Sequence, residues 1–186
     1  MNLHWCCGDV YLKNFLNIDI EGVFISEFEV NPNETILENY FKNPFFENNR
    51  KRGQYLIDKQ LDILQDWPFA KNSIDTIVMI SAWEHFYRKE TKFIQEQIEK
   101  VLKVGGKFIV DFPDIKKDID IYYETNPEFC FELIYCNGKN IHSLHKWGYT
   151  AKTFSNLWSN KYYVQQKVYV QHDYPMIGME VTKLYD

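Results

Sequence analysis

The chain has 186 residues, 45% of them apolar and 25% charged, which is the balance of a globular domain and excludes a disordered or fibrous polymer. Lysine and arginine number 21 against 26 acids, for a net charge of −5 without a long basic run. That argues against a nucleic-acid substrate, which would want a basic face to release counterions.

No apolar run approaches the length needed to span a bilayer, and the amino terminus lacks the basic, apolar and small-residue order of a signal peptide. Cys6, Cys7, Cys130 and Cys136 do not form a disulfide framework for a chain of this size. Reduced thiols acting as small apolar residues fit better, and the expectation is a soluble, cytoplasmic protein without a membrane partner.

In chain order, Leu3-His4-Trp5-Cys6-Cys7-Gly8-Asp9 reads as a strand ending in a tight turn. Asn17-Ile18-Asp19-Ile20 reads as a second strand with an acid at its tip. Parallel strands ending side by side would gather backbone N–H groups from the first turn and the Asp19 carboxylate around one crevice, where open α/β sheets bind nucleosides. Only Asp9 to Asn14 separate the two strands, whereas a parallel crossover usually takes a dozen residues or more. One face of the sheet should therefore be thinly covered there.

Residues 21–54 mix aromatics (Phe24, Phe28, Tyr40, Phe41, Phe45, Phe46), acids and the basic cluster Arg50-Lys51-Arg52. Thr35 to Lys42 fits a short helix stopped by Pro44. The segment reads as a lid or acceptor-binding flap, or equally as an insertion packed by its own aromatics or against a second subunit, so a homodimer is one option. Tyr55-Leu56-Ile57 leads to Leu61-Asp62, the expected third strand or its carboxyl end.

Ile74 to Ile80 is a β-branched run suited to a strand buried on both faces. Tyr87, Thr91, Ile94, Ile98, Val101 and Leu102 recur at helical spacing, with Gly105-Gly106 expected to close that helix. Phe108 to Phe112 is the next strand, cut off at Pro113. After a looser stretch to Asn126, Phe129 to Tyr135 is expected to be extended. Thr150 can cap a short helix presenting Phe154, Leu157 and Trp158 on one face. Tyr162 to Gln171 and Ile177 to Tyr185 alternate around the turn His172-Asp173-Tyr174-Pro175, an antiparallel hairpin.

Four blocks in this order resemble the small, compact class I S-adenosylmethionine-dependent methyltransferases. They are Leu3 to Ile20; Leu61 to Phe69 with Asn72-Ser73-Ile74-Asp75; Ser81-Ala82-Trp83-Glu84-His85-Phe86; and Val101 to Lys107. The resemblance implies an α/β fold: a doubly wound, mostly parallel, seven-stranded Rossmann-like sheet ending in an antiparallel hairpin. It implies one domain over 1–186, with the insertion or flap at about 21–54, and S-adenosylmethionine as cofactor. The departure from the family pattern is Cys6, which stands where a glycine is usual.

On that resemblance the cofactor residues are Cys6, Cys7, Gly8, Asp19, Ile20, Asp62, Ile63, Ser81 and Trp83. Asp19 can accept hydrogen bonds from both ribose hydroxyls. Gly8 lets the backbone pass close to the ligand. Asp62 matches the position that meets the adenine amino group, with Asp66 as competitor, and Trp83 has a core position as its alternative. Cys6 lines the pocket wall if its φ is negative; otherwise its side chain weakens cofactor approach.

Glu84 and His85 are the candidate catalytic pair, the imidazole taking a proton from a hydroxyl or amine; the alternative is that they cap and pack. His145 and Trp147 fall near the acceptor pocket by resemblance. His142, His145 and Cys136 offer three potential metal ligands without a fourth, and no metal is assigned. The function so implied is methyl transfer to a small-molecule or glycan/nucleotide-sugar acceptor; the alternative is a catalytically inactive scaffolding protein of the same fold. A dehydrogenase is disfavoured, because the three-glycine pyrophosphate loop is absent.

Overall fold

The computed structural model describes residues 1–27, 37, 55–136, 141–167 and 174–186. The helix expected at 35–42, most of the flap at 21–54, and residues 168–173 of the terminal hairpin lie outside the described residues.

The strands are β1 (Asn2–Trp5), β2 (Leu16–Asp19), β3 (Val23–Phe24), β4 (Leu56–Ile57), β5 (Lys59–Gln60), β6 (Ile74–Met79), β7 (Leu102–Pro113), β8 (Tyr162–Lys167) and β9 (Met176–Lys183). The helices are α1 (Arg88–Val101), α2 (Ile115–Tyr122), α3 (Pro127–Tyr135) and α4 (Ala151–Ser155), with a 3-10 turn at Trp83–His85. Seven strands form one sheet in the order β5-β2-β1-β6-β7-β9-β8. The strands from β5 to β7 are mutually parallel, and β9 runs antiparallel between β7 and β8. The fold is therefore the expected doubly wound α/β sheet ending in an antiparallel hairpin. Chain order reverses between β1 and β6, and that switch point opens a crevice at the strands' carboxyl ends.

The third sheet strand is β5, whose Lys59 and Gln60 pair with Ile18 and Asp19. Leu61 and Asp62, where the sequence placed that strand or its carboxyl end, follow directly after β5, and Leu56 and Ile57 ahead of it pair with Val23 and Phe24 in a separate two-stranded ribbon.

One face of the sheet carries the main core, with Leu3, Trp5, Ile77, Phe108, Phe112, Met179 and Val181 packed beneath Ile94, Ile98 and Val101 of α1. The other face, over Val78, Ile80 and Ile109, is covered by Val10 and Leu12 from the β1–β2 connection. No helix forms in that connection. A helix would satisfy its own backbone, and here the buried Asn17 side chain does so instead. Its Oδ1 accepts from Leu12 N–H at 2.9 Å, and its Nδ2 donates to the Leu12 and Phe15 carbonyls at 3.0 and 3.1 Å.

α1 begins where the Glu90 carboxylate reaches back to the Tyr87 N–H at 2.8 Å. It stops at Val101 rather than running to Gly105-Gly106, because Leu102 is already extended and Gly105, at φ +79°, makes a turn inside the span of β7. A buried cation anchors the helix end: Lys183 Nζ donates to the Glu99 and Leu102 carbonyls at 2.9 and 3.0 Å, to Asn72 Oδ1 at 3.0 Å, and pairs with Asp186 at 2.7 Å. These carbonyls lie at the negative end of the helix dipole, where a cation is favoured.

The extended segment expected at Phe129 to Tyr135 is instead α3. Pro127 occupies the first turn, where its missing N–H costs nothing, and Asn126 Oδ1 accepts the Phe129 N–H at 3.3 Å. Cys130 and Leu133 then face inward with helical spacing. Thr150 caps α4 as expected, accepting the Thr153 N–H at 3.1 Å.

Candidate active site

A cavity of about 560 Å³, within the usual size range of ligand sites, opens at the carboxyl ends of β1, β2 and β6. The turn after β1 forms one side. Cys6 and Gly8 both hold left-handed backbone, at φ +53° and +49°. A side chain added at Gly8 would meet nothing within 4 Å, so the loop presents bare backbone to open space. Cys6 adopts the conformation a glycine takes freely, and its side chain lines the cavity. Burial, with Asp19, Asp62 and Glu84 nearby, pushes its thiol well above the ordinary range, so at neutral pH it is not a thiolate nucleophile.

Asp19 ends β2 against this turn. Oδ2 accepts the Gly8 N–H at 2.9 Å and Oδ1 its neighbour Ile20's N–H at 2.7 Å. Burial raises the carboxyl pKa, and the donated N–H bonds oppose that rise. The carboxylate keeps acceptor capacity for a ligand hydroxyl.

Across the cavity stand Asp62 and Ile63. Asp62 is held by the Leu64 N–H at 2.8 Å, whereas Asp66 is turned to Gln97 Nε2 at 3.2 Å and does not line the cavity. The register with Asp62 on the cavity wall is therefore the one adopted.

Ser81 closes the third side at the end of β6, with left-handed φ of +45° and its N–H donated to Asp111 at 2.6 Å. Cys7 and Trp83 do not line the cavity. Cys7 Sγ points to the Leu56 carbonyl at 3.6 Å, and Trp83 is fully buried against Phe108, Tyr149 and Phe154.

The 3-10 turn delivers Glu84 into the protein and His85 onto the cavity wall. Residues 144–147 are fastened to it: the Glu84 carbonyl accepts N–H groups from Lys146 and Trp147 at 2.8 and 3.2 Å, and His85 Nδ1 lies 3.1 Å from the Leu144 carbonyl. His145 comes to rest with its ring 4.8 Å from His85 and its Nε2 3.8 Å from Glu84 Oε1.

Burial raises Glu84 to about 8, helped by nearby Asp111, so it is largely protonated at neutral pH. Burial, then neighbouring His145, lowers His85 to about 4, and burial also lowers His145. Both imidazoles are neutral at pH 7. Trp147 lies outside the cavity, half exposed, with the Arg88 guanidinium 5.5 Å from its ring.

The sequence reading passed over several lining residues, Trp5, Tyr55, Leu61, Glu90 and Lys146, and weighed Cys136 only as a metal ligand. Only Trp5 had a local signal, its place in the strand before the turn; the rest arrive from segments whose approach depends on tertiary folding.

A doubly wound sheet with this strand order, a glycine-bearing turn after its first strand and an acid at the tip of its second defines a nucleoside-binding α/β enzyme of the methyltransferase type. A family model described as a methyltransferase domain matches residues 12–110, and the chain belongs to that family. It is an S-adenosylmethionine-dependent methyltransferase, and S-adenosylmethionine is its cofactor.

A search of curated proteins finds no significant match. Among solved structures, the chain is similar to an S-adenosylmethionine-dependent methyltransferase from Methanosarcina mazei, at 16% identity and TM-score 0.53, covering 100% of this chain and 92% of that one. It is similar to a Haloferax volcanii protein in complex with a methyltransferase activator, at 11% identity and TM-score 0.57, covering 99% and 82%. The plantazolicin methyltransferase in complex with S-adenosylhomocysteine matches at 12% identity and TM-score 0.51, covering 99% and 76%. At these identities the likeness is one of fold. Among the described residues no helix is long and apolar enough to cross a membrane.

Proposed function

We propose that the crevice holds S-adenosylmethionine along Cys6, Gly8, Asp19, Ile20, Asp62, Ile63 and Ser81. The acceptor in this reading is a hydroxyl or amine of a small molecule or glycan/nucleotide sugar, placed at the end formed by Glu84, His85 and His145. The observation that carries it is the tie between Gly8 and Asp19, which sets bare backbone and a carboxylate side by side on a cavity whose opposite wall bears a neutral imidazole.

The residues fit the cofactor chemically. Asp19 offers acceptors for two ribose hydroxyls, Asp62 an acceptor for the adenine amino group, and Ile63 an apolar wall. When bound, S-adenosylmethionine supplies an electrophilic methyl group on a sulfonium. The chain's own task is to orient the two reactants in line, which supplies much of the rate in such displacements, and to take up the acceptor's proton. Neutral His85 has a lone pair for that proton, with Glu84 and His145 behind it. Cys7 and Trp83 serve this site indirectly, by fixing the strand ends from the core.

Calorimetry with S-adenosylmethionine and S-adenosylhomocysteine, followed by an acceptor screen using methyl-labelled cofactor, tests the reading. Micromolar binding that drops in Asp19→Ala, and label transfer to a hydroxyl- or amine-bearing small molecule, is expected. A folded chain that binds neither ligand at millimolar concentration overturns it.

A further inference from the structure

We propose that Glu84, His85 and His145 form a binding site for a first-row divalent transition-metal ion of the zinc type, at the acceptor end of the crevice. One ligand atom from each residue lies within 4.8 Å of the others, and Glu84 Oε1 and His145 Nε2 are 3.8 Å apart. Ligand atoms around a tetrahedral zinc, with bonds of about 2.0–2.1 Å, stand roughly 3.3 Å from one another. Coordination would draw the side chains together by that difference.

The tautomers are already set for coordination. His85 Nδ1 is 3.1 Å from the Leu144 carbonyl and His145 Nδ1 is 2.9 Å from the Leu133 carbonyl. A carbonyl only accepts, so each Nδ1 carries the hydrogen and each Nε2 presents a lone pair. Metal-bound histidines are held in this way, with the second ring nitrogen donating to a carbonyl or carboxylate.

Glu84 supplies the independent sign of a missing partner. Its side chain is buried, and its Oε2 has no hydrogen-bond partner. A buried carboxyl oxygen left in that state is costly, and an ion held by both carboxyl oxygens would satisfy it. Among the described residues no lysine or arginine forms an ion pair with Glu84.

The cage is also firm. His145 is pinned by its own N–H to the Tyr135 carbonyl at 3.3 Å, and the Glu84 carbonyl grips the next two residues of the same loop. Of the three residues His85 lines the cavity, so the cluster borders the place where the acceptor would sit. Two neutral imidazoles and one glutamate that gives up its proton on coordination suit zinc, iron or cobalt, whereas magnesium and calcium prefer all-oxygen sites.

This inference rests on the reading of the cluster as the acceptor end, and it changes the agent there. Coordination would lower the pKa of an acceptor hydroxyl or amine, and its proton would then leave to solvent water rather than to a free His85.

The test adds Zn²⁺, Co²⁺ or Mg²⁺ to the chelator-treated full chain, with calorimetry, the cobalt visible spectrum and retained metal after dialysis as readouts. Expected are one Zn²⁺ per chain, an intense tetrahedral cobalt spectrum and much weaker Mg²⁺ binding. Glu84→Gln and His145→Ala should each weaken zinc at least roughly 10-fold while remaining folded by circular dichroism, and His145→Asn serves if the alanine variant does not fold. The proposal is overturned if folded wild-type chain takes up no Zn²⁺ or Co²⁺ at millimolar concentration, or if these variants bind zinc as wild type does. S-adenosylmethionine binding is measured on the same samples. Cofactor binding without metal binding removes this inference and leaves His85 as a free base; loss of both removes the functional reading too.

Discussion

The Gly8 main-chain N–H donates to Asp19 Oδ2 at 2.9 Å, so the turn that ends the first strand is held by the acid that ends the second. Asp19 thus acts twice, as a tether for its own loop and as the proposed acceptor for the cofactor's ribose. Asp19→Ala should weaken S-adenosylmethionine binding on the order of 10- to 100-fold, about 1.5–3 kcal/mol. It should also lower the unfolding free energy by about 1 kcal/mol through the lost tether. Calorimetry and denaturant titration read the two effects separately, and unchanged affinity in a folded variant would remove Asp19 from the site.

The left-handed backbone at Cys6 sets the sign of its substitutions. Outside glycine this conformation costs roughly 1–2 kcal/mol, and β-branched side chains tolerate it worst. Cys6→Gly should therefore match or exceed wild-type stability, with cofactor affinity equal or tighter. Cys6→Val should lose roughly 1–3 kcal/mol. Melting temperatures of the two variants decide it: a glycine variant that melts well below the valine one would contradict the strain argument.

His4 makes stability depend on pH. Its Nδ1 donates to Asn17 Oδ1 at 3.0 Å, while Nε2 is buried without a hydrogen-bond partner, and burial lowers its pKa to about 4. The unfolded chain takes up this proton below about pH 6.5 and the folded chain only near pH 4. The stabilisation is fully present above about pH 6.5 and is lost as pH falls toward 4, by up to roughly 3 kcal/mol. His4→Gln keeps the donor but does not titrate. The wild-type loss across this window should exceed that of the variant; parallel pH profiles would show that His4 is not the group responsible.

Lys183 is the next test of the packing account. Its ammonium is buried and serves two helix-end carbonyls, Asn72 and Asp186 together. Lys183→Met keeps the length of the side chain and strands those acceptors, so it should cost roughly 2–4 kcal/mol. Affinity for S-adenosylmethionine should change little, because Lys183 does not line the cavity. A fall in affinity with little loss of stability would reverse this assignment.

These cases also show what the sequence could and could not disclose. The strand ends at Gly8 and Asp19, and the β-branched run before Ser81, declared themselves because local pattern and tertiary role coincide there. Asp62 was legible as a candidate, but placing it rather than Asp66 on the cavity wall required knowing that Gln97, on α1, would claim the latter. α3 carried its own start signal in Asn126-Pro127, yet its aromatic run Phe129 to Phe131 resembled a strand, and the cap outweighed that resemblance. Trp83, adjacent to Glu84 and His85 in sequence, belongs to the core because the 3-10 turn directs it away from His85. The meeting of His145 with Glu84 depends on a loop folding back over many residues, and no local pattern announces it.

The helix-free connection between β1 and β2 concentrates its support instead of spreading it. A helix distributes its hydrogen bonds over many residues, so that exchanging one side chain leaves the rest intact. Here one amide holds Leu12, Phe15 and His4 at once, and Asp58 in turn accepts the Asn17 N–H at 2.7 Å. Sequence change at position 17 therefore threatens the whole cover that Val10 and Leu12 lay over Val78, Ile80 and Ile109 at once.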